Sequence, residues 1–180
     1  MNYRLYSGLI VLCLIICTIS CSKKESIPDQ IIHEVLNKNV YINTPDSISG
    51  SCRYLVFSIV IDDVFKTTAL MHLNNENYYC DAHSEVLVQA DSKMLKPLAH
   101  NTDIDSEGSW IPVNNICLDD FAGKGIKYAG YRIADYSSGE VVYYYGWIGI
   151  EVDFNKQNIS ITERATNFTA NRPILTGQTE

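Results

Sequence analysis

The sequence predicts an all-β protein: a single antiparallel β-sandwich domain with a jelly-roll-like arrangement. Short runs of β-branched and aromatic residues, of which 54–61 is the plainest, are typical of buried strands. Turn-forming residues separate these runs at short and fairly regular intervals. Many short strands at such a spacing favour a sandwich or a barrel, and the sequence contains no internal repeat that would suggest another architecture.

The strands can be predicted in chain order, although the first segment is ambiguous. The apolar residues of 31–36 fit one face of a helix, whereas 40–42 favour a strand. Residues 44–50 have the composition of a turn. The later predicted strands cover 54–61, 67–73, 84–90, 110–118, 126–134, 140–154 and 158–166.

Several residues indicate where strands end or lie at an edge. Pro112 has no backbone N–H, so its strand is predicted to lie at a sheet edge or to start irregularly. Residues 98–108 are polar and predict a loop. Hairpin turns are predicted at 137–139 and 155–157, where small and polar residues separate two apolar runs.

The N-terminus has the pattern of a secretory signal. Arg4 precedes an apolar run from 5 to 19, which is shorter than the ~20 residues of a membrane-spanning helix. Ser20 and Cys21 then supply a small residue and a thiol, as in a lipobox, where a peptidase cuts before a cysteine that carries diacylglycerol. Thr18 departs from the usual aliphatic residue of that motif. We expect lipidation at Cys21, the alternative being an ordinary signal peptide.

These features divide the chain into three parts. Residues 1–20 are the expected signal peptide, 21–30 are the lipidated cysteine with a polar flexible tether, and 31–180 are the sandwich domain. Ser22 is not the Asp that retains lipoproteins in the inner membrane of enteric bacteria. We therefore expect an outer-membrane lipoprotein of the cell envelope, facing either the periplasm or the cell surface.

Composition limits the partners and the disulfides. The net charge is −7, which disfavours binding to nucleic acid because phosphate backbones are also negative. Of the six cysteines, two lie in the expected signal and Cys21 carries the lipid. The oxidising envelope permits one bridge among the remaining three, and the sequence does not choose the pair. These three are Cys52, Cys80 and Cys117.

The last third of the chain contains GIKYAGYRI at 125–133, YGWI at 145–148, ISIT at 159–162 and NRPILTGQ at 171–178. These segments resemble the end of an uncharacterised β-sandwich domain common in secreted and surface proteins of Bacteroidetes-type bacteria. Its members often carry an Asp-rich segment near the start, of which 59–65 keeps only the paired Asp and the Phe. The resemblance implies the fold and an envelope location, and it implies no activity.

The strand at 140–154 carries the main candidate site. Alternation places Val142, Tyr144, Ile148, Ile150, Val152 and Phe154 on a core face. Tyr143, Tyr145 and Trp147 then lie on the outer face, where their rings could stack against apolar faces of sugars. These residues are the candidate glycan-binding residues. Alternatively, a bulge at Gly146 reverses the register and buries Trp147.

Glu151 and Asp153 follow on the same predicted face, in the E-x-D pattern of jelly-roll glycosidases. Such enzymes need paired carboxylates at a defined separation. The further acid of the family pattern is replaced by Asn155 or Lys156. A glycan-active hydrolase using Glu151 and Asp153 is therefore the alternative function, and no catalytic residue is assigned.

Two weaker candidates lie in predicted loops. Asp103, Asp105 and Glu107 have the spacing of a calcium loop, although position twelve of that loop is Asn114 rather than Glu. Calcium is therefore only a weak cofactor candidate. Ser47, in the sequence Asp46-Ser47-Ile48, matches a short motif for O-glycosylation. The sequence as a whole predicts a non-enzymatic binding or structural module, held to the membrane by its lipid, with a glycan or an envelope protein as partner.

Overall fold

The computed structural model describes residues 29–42, 44–49, 54–61, 67–74 and 82–180. Over these residues the protein is built from antiparallel strands in a large and a smaller sheet, so the predicted all-β, sandwich-like fold is confirmed. The elements are β1 (Ile31–Tyr41), β2 (Asp46–Ser49), β3 (Tyr54–Ile61), β4 (Thr67–Asn74), β5 (Ala82–Val88), β6 (Asp103–Ile104), β7 (Ser109–Pro112), β8 (Ile116–Cys117), a short 3-10 turn (Asp119–Phe121), β9 (Lys127–Asp135), β10 (Val142–Asp153), β11 (Asn158–Asn167) and β12 (Ile174–Leu175).

The large sheet has six strands in the order β1-β11-β10-β9-β5-β7, and the small sheet has four in the order β2-β3-β4-β8. β9, β10 and β11 are consecutive in the chain and adjacent in the sheet, because tight turns join them at 136–141 and 154–157. Both predicted hairpins are therefore confirmed. β6 and β12 form a separate two-stranded ribbon.

The main core lies between the two sheets. It is built from apolar side chains of β10 that alternate toward the small sheet, and from those of their neighbours. Its fully buried members include Met71, Ile116, Leu118, Phe121, Ile148, Ile150, Val152, Ile159 and Ile161. Burial of side chains of this size stabilises the fold by about 1.5–3 kcal/mol each.

A second apolar cluster lies on the opposite face of the large sheet, beneath residues 174–178, which we call the C-terminal segment. Its centre is Trp147, which is 0% exposed and whose Nε1 donates to the carbonyl oxygen of Gln178 at 3.2 Å. The segment is held down by Thr176, whose N–H donates to the Thr102 carbonyl at 3.0 Å and whose hydroxyl donates to the Ala99 carbonyl at 2.6 Å. The large sheet therefore buries apolar side chains on both faces.

The first described segment is one strand, so the helical interpretation of residues 31–36 was wrong. β1 pairs with β11 over its whole length, with a register irregularity between Val35 and Lys38. Asn37, within that irregularity, has φ +48°, a conformation that Asn tolerates better than most residues. The misleading pattern comes mainly from Ile32 and Val35, two apolar residues that the strand leaves exposed, so that the apolar positions do not alternate.

Three further details differ from the sequence predictions. Residues 46–49 are strand β2 rather than part of a turn, because they pair with β3. The predicted strand at 110–118 is divided between β7 in the large sheet and β8 in the small one. The predicted loop at 98–108 contains β6, which pairs with β12. The predicted edge position of Pro112 is confirmed, since β7 is the last described strand of the large sheet.

Gly146 is required by close packing rather than by a bulge. Its pairing with Tyr131 on β9 is regular. A Cβ at this position would lie 2.6 Å from the Ala165 carbonyl oxygen and closer still to the Tyr131 ring. The absent side chain lets the Tyr131 ring cross β10 and place its hydroxyl against the Thr166 hydroxyl on β11.

Replacing Gly146 should therefore destabilise the protein strongly. We expect Gly146→Ala to lower the free energy of unfolding by about 1–3 kcal/mol, the range for overpacking in a tight core. Gly130→Ala is the matched control, since its added Cβ would meet neighbours at 3.4 Å, an ordinary contact distance. Urea unfolding of both variants measures the difference, and equal stabilities would contradict this account of Gly146.

Candidate functional site

The three aromatic residues of the predicted site share the predicted face of β10, but the expected exposed row was wrong. Tyr145 is 2% exposed and Trp147 is 0% exposed, so neither ring offers a face to a ligand. The C-terminal segment and the neighbouring strands cover Trp147, where the Tyr128 ring meets its indole edge to face at 5.2 Å. Tyr143 alone of the three is half-buried.

Beside the covered region, the same face carries a cluster that we call the Arg132 patch: Glu85, Trp110, Arg132, Tyr143 and Tyr145. Strand register brings it together. Glu85 on β5 lies directly opposite Arg132 on β9, and Arg132 lies opposite Tyr145 on β10. Directly opposed residues in antiparallel strands point to the same face and contact one another.

Arg132 is the centre of the patch. Its Nε donates to Glu85 Oε2 at 2.5 Å, and its guanidinium carbon lies 4.7 Å from the centre of the Trp110 ring and 4.1 Å from that of Tyr143. The side chains of Arg132 and Glu85 are 13% and 22% exposed. A guanidinium between two rings and fixed by a carboxylate has few alternative positions, so the patch is rigid.

The surroundings of Tyr145 in the patch keep its phenol group neutral. Burial raises the pKa of Tyr145, and the positive charge of Arg132 opposes this increase only in part. Tyr145 therefore remains protonated at physiological pH, with a hydroxyl that can donate or accept a hydrogen bond. Trp110 Nε1 is a buried donor that finds no acceptor in the described part of the chain. An unsatisfied donor costs about 1–3 kcal/mol, and a rearrangement that supplied an acceptor would recover it.

The patch can therefore offer planar polar groups beside aromatic rings, a combination suited to the hydroxyl groups and apolar faces of a sugar. Sequence reasoning missed Glu85, Trp110 and Arg132. Alternation along β9 places Arg132 on the same face as Tyr128 and could have identified it as outward-facing. The neighbours of Arg132 were not predictable, because Glu85 and Trp110 come from strands far away in the sequence.

Glu151 and Asp153 of the alternative catalytic site lie near the end of β10. Asp153 accepts hydrogen bonds from the backbone N–H groups of Asn155 and Lys156 at 3.0 and 3.1 Å, and it pairs with Lys156 Nζ at 3.0 Å. The Lys156 side chain and these N–H groups lower the pKa of Asp153. This carboxylate shapes the hairpin turn, which is a structural role.

The three candidate calcium ligands, Asp103, Asp105 and Glu107, do not form a cluster. Asp105 Oδ1 accepts the backbone N–H of Glu107 at 2.8 Å, whereas Asp103 lies in β6. Over the ranges that the structure describes, no three His, Cys, Asp or Glu side chains lie close enough to hold a metal ion. Residues 59–61 of the segment compared with the Asp-rich motif belong to β3, and 62–65 are outside the described residues.

The remaining candidates are only partly described. Ser47 lies in β2 rather than in the expected loop, is half-buried, and accepts Lys38 Nζ at its carbonyl oxygen at 2.6 Å. Modification of Ser47 stays a prediction. Cys117 is half-buried in β8. Cys21, Cys52 and Cys80 lie outside the described residues, so lipidation and the disulfide pairing also stay predictions.

An open groove of about 620 Å³ lies beside β7 and is separate from the Arg132 patch. Its walls include the apolar Val88, Ile111 and Pro112. Asp91 and Lys93 line the same groove with opposite charges, so the groove has no single sign of charge that would select a charged ligand. The Arg132 patch, with its fixed hydrogen-bonding groups, is therefore the candidate site that we develop.

Comparison with known proteins adds no assignment: no family model, curated protein or solved structure matches the chain. Within the described residues, no helix is long and apolar enough to cross a membrane.

Three carboxylates at strand ends predict an acid-dependent loss of stability. Hydrogen bonds from backbone N–H groups or from Lys156 lower the pKa of Asp46, Asp135 and Asp153 below the usual value of 3.8. A pKa that is lower in the folded state means that the unfolded chain takes up protons first as the pH falls. The stabilisation should be complete above the usual pKa and be lost as the pH falls through the folded one.

Urea unfolding at pH values from about 7 down to about 2 measures this dependence. Asp153→Asn should be less stable than the wild type at neutral pH and should lose less stability on acidification. Glu151→Gln removes an acid of the same strand but none of these bonds, and it controls for the loss of one negative charge. An unchanged acid profile in Asp153→Asn would contradict the role given to its carboxylate.

Proposed function

We propose that the chain is a lipid-anchored protein of the bacterial cell envelope whose sandwich domain binds a glycan without modifying it. The observation that carries the binding part is the fixed position of Arg132 between Trp110 and Tyr143. The anchoring part is supported by the secretory pattern and by the Ser20-Cys21 cleavage motif.

The start of the domain agrees with a short tether. Gln30 already belongs to the fold, because its N–H donates to Thr169 Oγ1 at 2.9 Å and its carbonyl accepts the Phe168 N–H at 2.7 Å. Residues 22–28 are then all that separates the fold and Asp29 from the lipidated cysteine. A seven-residue segment reaches about 25 Å at most, so the domain would stay close to the outer membrane.

Glycan binding is supported by the preorganisation of the patch. Ordering a flexible side chain on binding costs about 0.5–1.5 kcal/mol, and Arg132 is already ordered by Glu85 and two rings. Sugar hydroxyls can bond to the guanidinium and carboxylate, while a ring edge or face contacts the C–H groups. The non-enzymatic proposal is supported by Asp153, whose oxygens are occupied in the turn.

Lipidation is tested by metabolic labelling with palmitate in a bacterial host. We expect label in the wild-type chain and none in Cys21→Ala. Cys17→Ala, which removes the other cysteine near the end of the apolar run, is the matched control and should be labelled like the wild type. Equal labelling of Cys21→Ala and wild type would show that the anchor proposal is wrong.

Glycan binding is tested by the melting temperature across a panel of host and dietary polysaccharides. A ligand that binds only the folded state adds about 2.7 kcal/mol of stability at a hundredfold excess over Kd, so binding raises the melting temperature. We expect a shift with at least one glycan, lost in Tyr143→Ala and reduced in Arg132→Lys, which cannot reproduce the planar stacking.

Tyr41→Ala is the matched control, because Tyr41 is 53% exposed at the end of β1, away from the patch. It should keep the full shift. A shift that survives Tyr143→Ala would place binding elsewhere, and no shift with any glycan would leave a protein partner as the better proposal.

A further inference from the structure

Among the strands that the structure describes, β1 is the last at one edge of the large sheet. The register shows which of its backbone groups face outward. The Phe168 N–H donates to the Gln30 carbonyl, which makes these two residues a hydrogen-bonded pair. Alternation along an antiparallel ladder then turns the N–H and C=O groups of Ile32 and Glu34 toward β11. The corresponding groups of Ile31, His33 and Val35 point away from the sheet.

This outward stretch, residues 31–35, lacks two of the usual protections of an edge strand, proline and lysine. The stretch contains no proline, whereas the opposite edge strand, β7, has only four residues and includes Pro112. Ile32 and Val35 are 62% and 61% exposed, the highest values among the large hydrophobic side chains of the described residues. An exposed edge with unpaired backbone groups and apolar side chains is a template for another strand.

The rest of β1, after Val35, is interrupted by a bulge and already contacts β2. Beyond Val35 the bulge at Asn37 interrupts the strand. Lys38 Nζ then bonds to the Ser47 carbonyl and to Asp46 Oδ1, at 2.6 and 3.2 Å, which holds β2 beside this half of the edge. The stretch that remains open is therefore short and has defined ends.

We propose that residues 31–35 pair antiparallel with the same residues of a second copy of the chain, which joins two large sheets edge to edge. A register centred on His33 places His33 opposite its own copy and Ile31 of one chain opposite Val35 of the other. All the outward N–H and C=O groups of Ile31, His33 and Val35 are then satisfied in both chains.

The same register fits the side chains, which is the reason for choosing a second copy as the occupant. Ile31 and Val35 form an apolar cross-strand pair on one face. On the other face Ile32 of one chain lies opposite Glu34 of the other, and Glu34 keeps its bonds with Arg164 at 2.7 and 2.9 Å. A register centred on Glu34 would instead oppose two carboxylates and place Ile31 against the bulge. The contact has twofold symmetry, so it closes as a dimer.

The pairing stands apart from glycan binding, because the Arg132 patch lies toward the opposite edge of the sheet. It also requires no lipid, although two chains anchored in one membrane would meet more often. The test is made on the full chain in the bacterial envelope. A photo-crosslinking amino acid at position 32 should yield an adduct of two chains, identified by mass spectrometry as self-linked.

Position 126 is the matched control, because Ile126 is 50% exposed beside the start of β9, at the opposite end of the sheet from Ile32. The same crosslinker there should yield no self-linked adduct. Failure of position 32 to link to its own copy, or links from it only to other proteins, would overturn the proposal.

Val35→Pro tests the backbone pairing directly. The Val35 N–H points away from β11, so its removal should leave the fold intact while it deletes a donor at the new pairing. We expect at least a tenfold loss of the self-linked adduct, whereas Val35→Ser, which keeps the N–H, should lose less. An undiminished adduct in a Val35→Pro chain that keeps its melting temperature would overturn the pairing.

Hydrogen exchange of the backbone amides tests the pairing in the wild-type protein, without any substitution. In the assembled protein the amides of Ile31, His33 and Val35 should be protected as well as those of Ile32 and Glu34. Exchange of the three outward amides at the rate of an unstructured peptide, at concentrations where the adduct forms, would likewise contradict the proposal.

Discussion

The register of β10 is the constraint on which the rest of the structure depends. This strand is inside the large sheet and is buried from Tyr145 to Ile150, so neither of its faces is free to accept a different side chain. Ile148 and Ile150 face the small sheet, while Tyr145 and Trp147 face the C-terminal segment. A slip of one residue would exchange the two sets, which places a tryptophan between the sheets and small aliphatic groups beneath the C-terminal segment. Gly146 enforces this arrangement locally, because the Tyr131 ring occupies the space of its missing side chain.

Much of this arrangement could be predicted from the sequence, because it depends on patterns among residues that are close together in the chain. The strand at 54–61 follows from its run of β-branched and aromatic residues, and the two hairpins after β9 and β10 follow from small and polar residues between apolar runs. The separation of Tyr143, Tyr145 and Trp147 from the aliphatic core face follows from a period of two. The burial of Trp147 does not. It depends on a hydrogen bond to Gln178, which lies 31 residues further along the chain, and on a ribbon formed by β6 and β12. Neither two-residue strand has enough length to show a pattern. The sequence therefore predicted the correct face for the three aromatic residues. It did not predict the C-terminal segment that covers Trp147, which is why the expected exposed row was wrong.

The candidate site shows the same division between local and distant information. The sequence placed Tyr143 on the outer face, and the structure makes it one wall of the Arg132 patch. The other wall, Trp110, belongs to a stretch that the sequence presented as one strand and the structure divides between two sheets. Glu85 and Arg132 are 47 residues apart and meet only because β5 and β9 are neighbours. Breaking such a half-buried ion pair leaves one charge without its partner in a poorly solvated position, so Arg132 and Glu85 depend on each other more than exposed charges do.

The two edges of the large sheet are treated differently, and this difference has a physical consequence. β7 is short and its Pro112 lacks the donor that an added strand would need, so this edge resists extension. β1 is long, and only its second half is protected, by the bulge and by the contacts of Lys38 with β2. Its first half, residues 31–35, has neither protection. In the part of the chain that the structure describes, this half pairs with β11 on one side alone, and its outward groups have no partner there. A second strand on the open side would satisfy those groups in the same way that β11 satisfies the groups of Ile32 and Glu34.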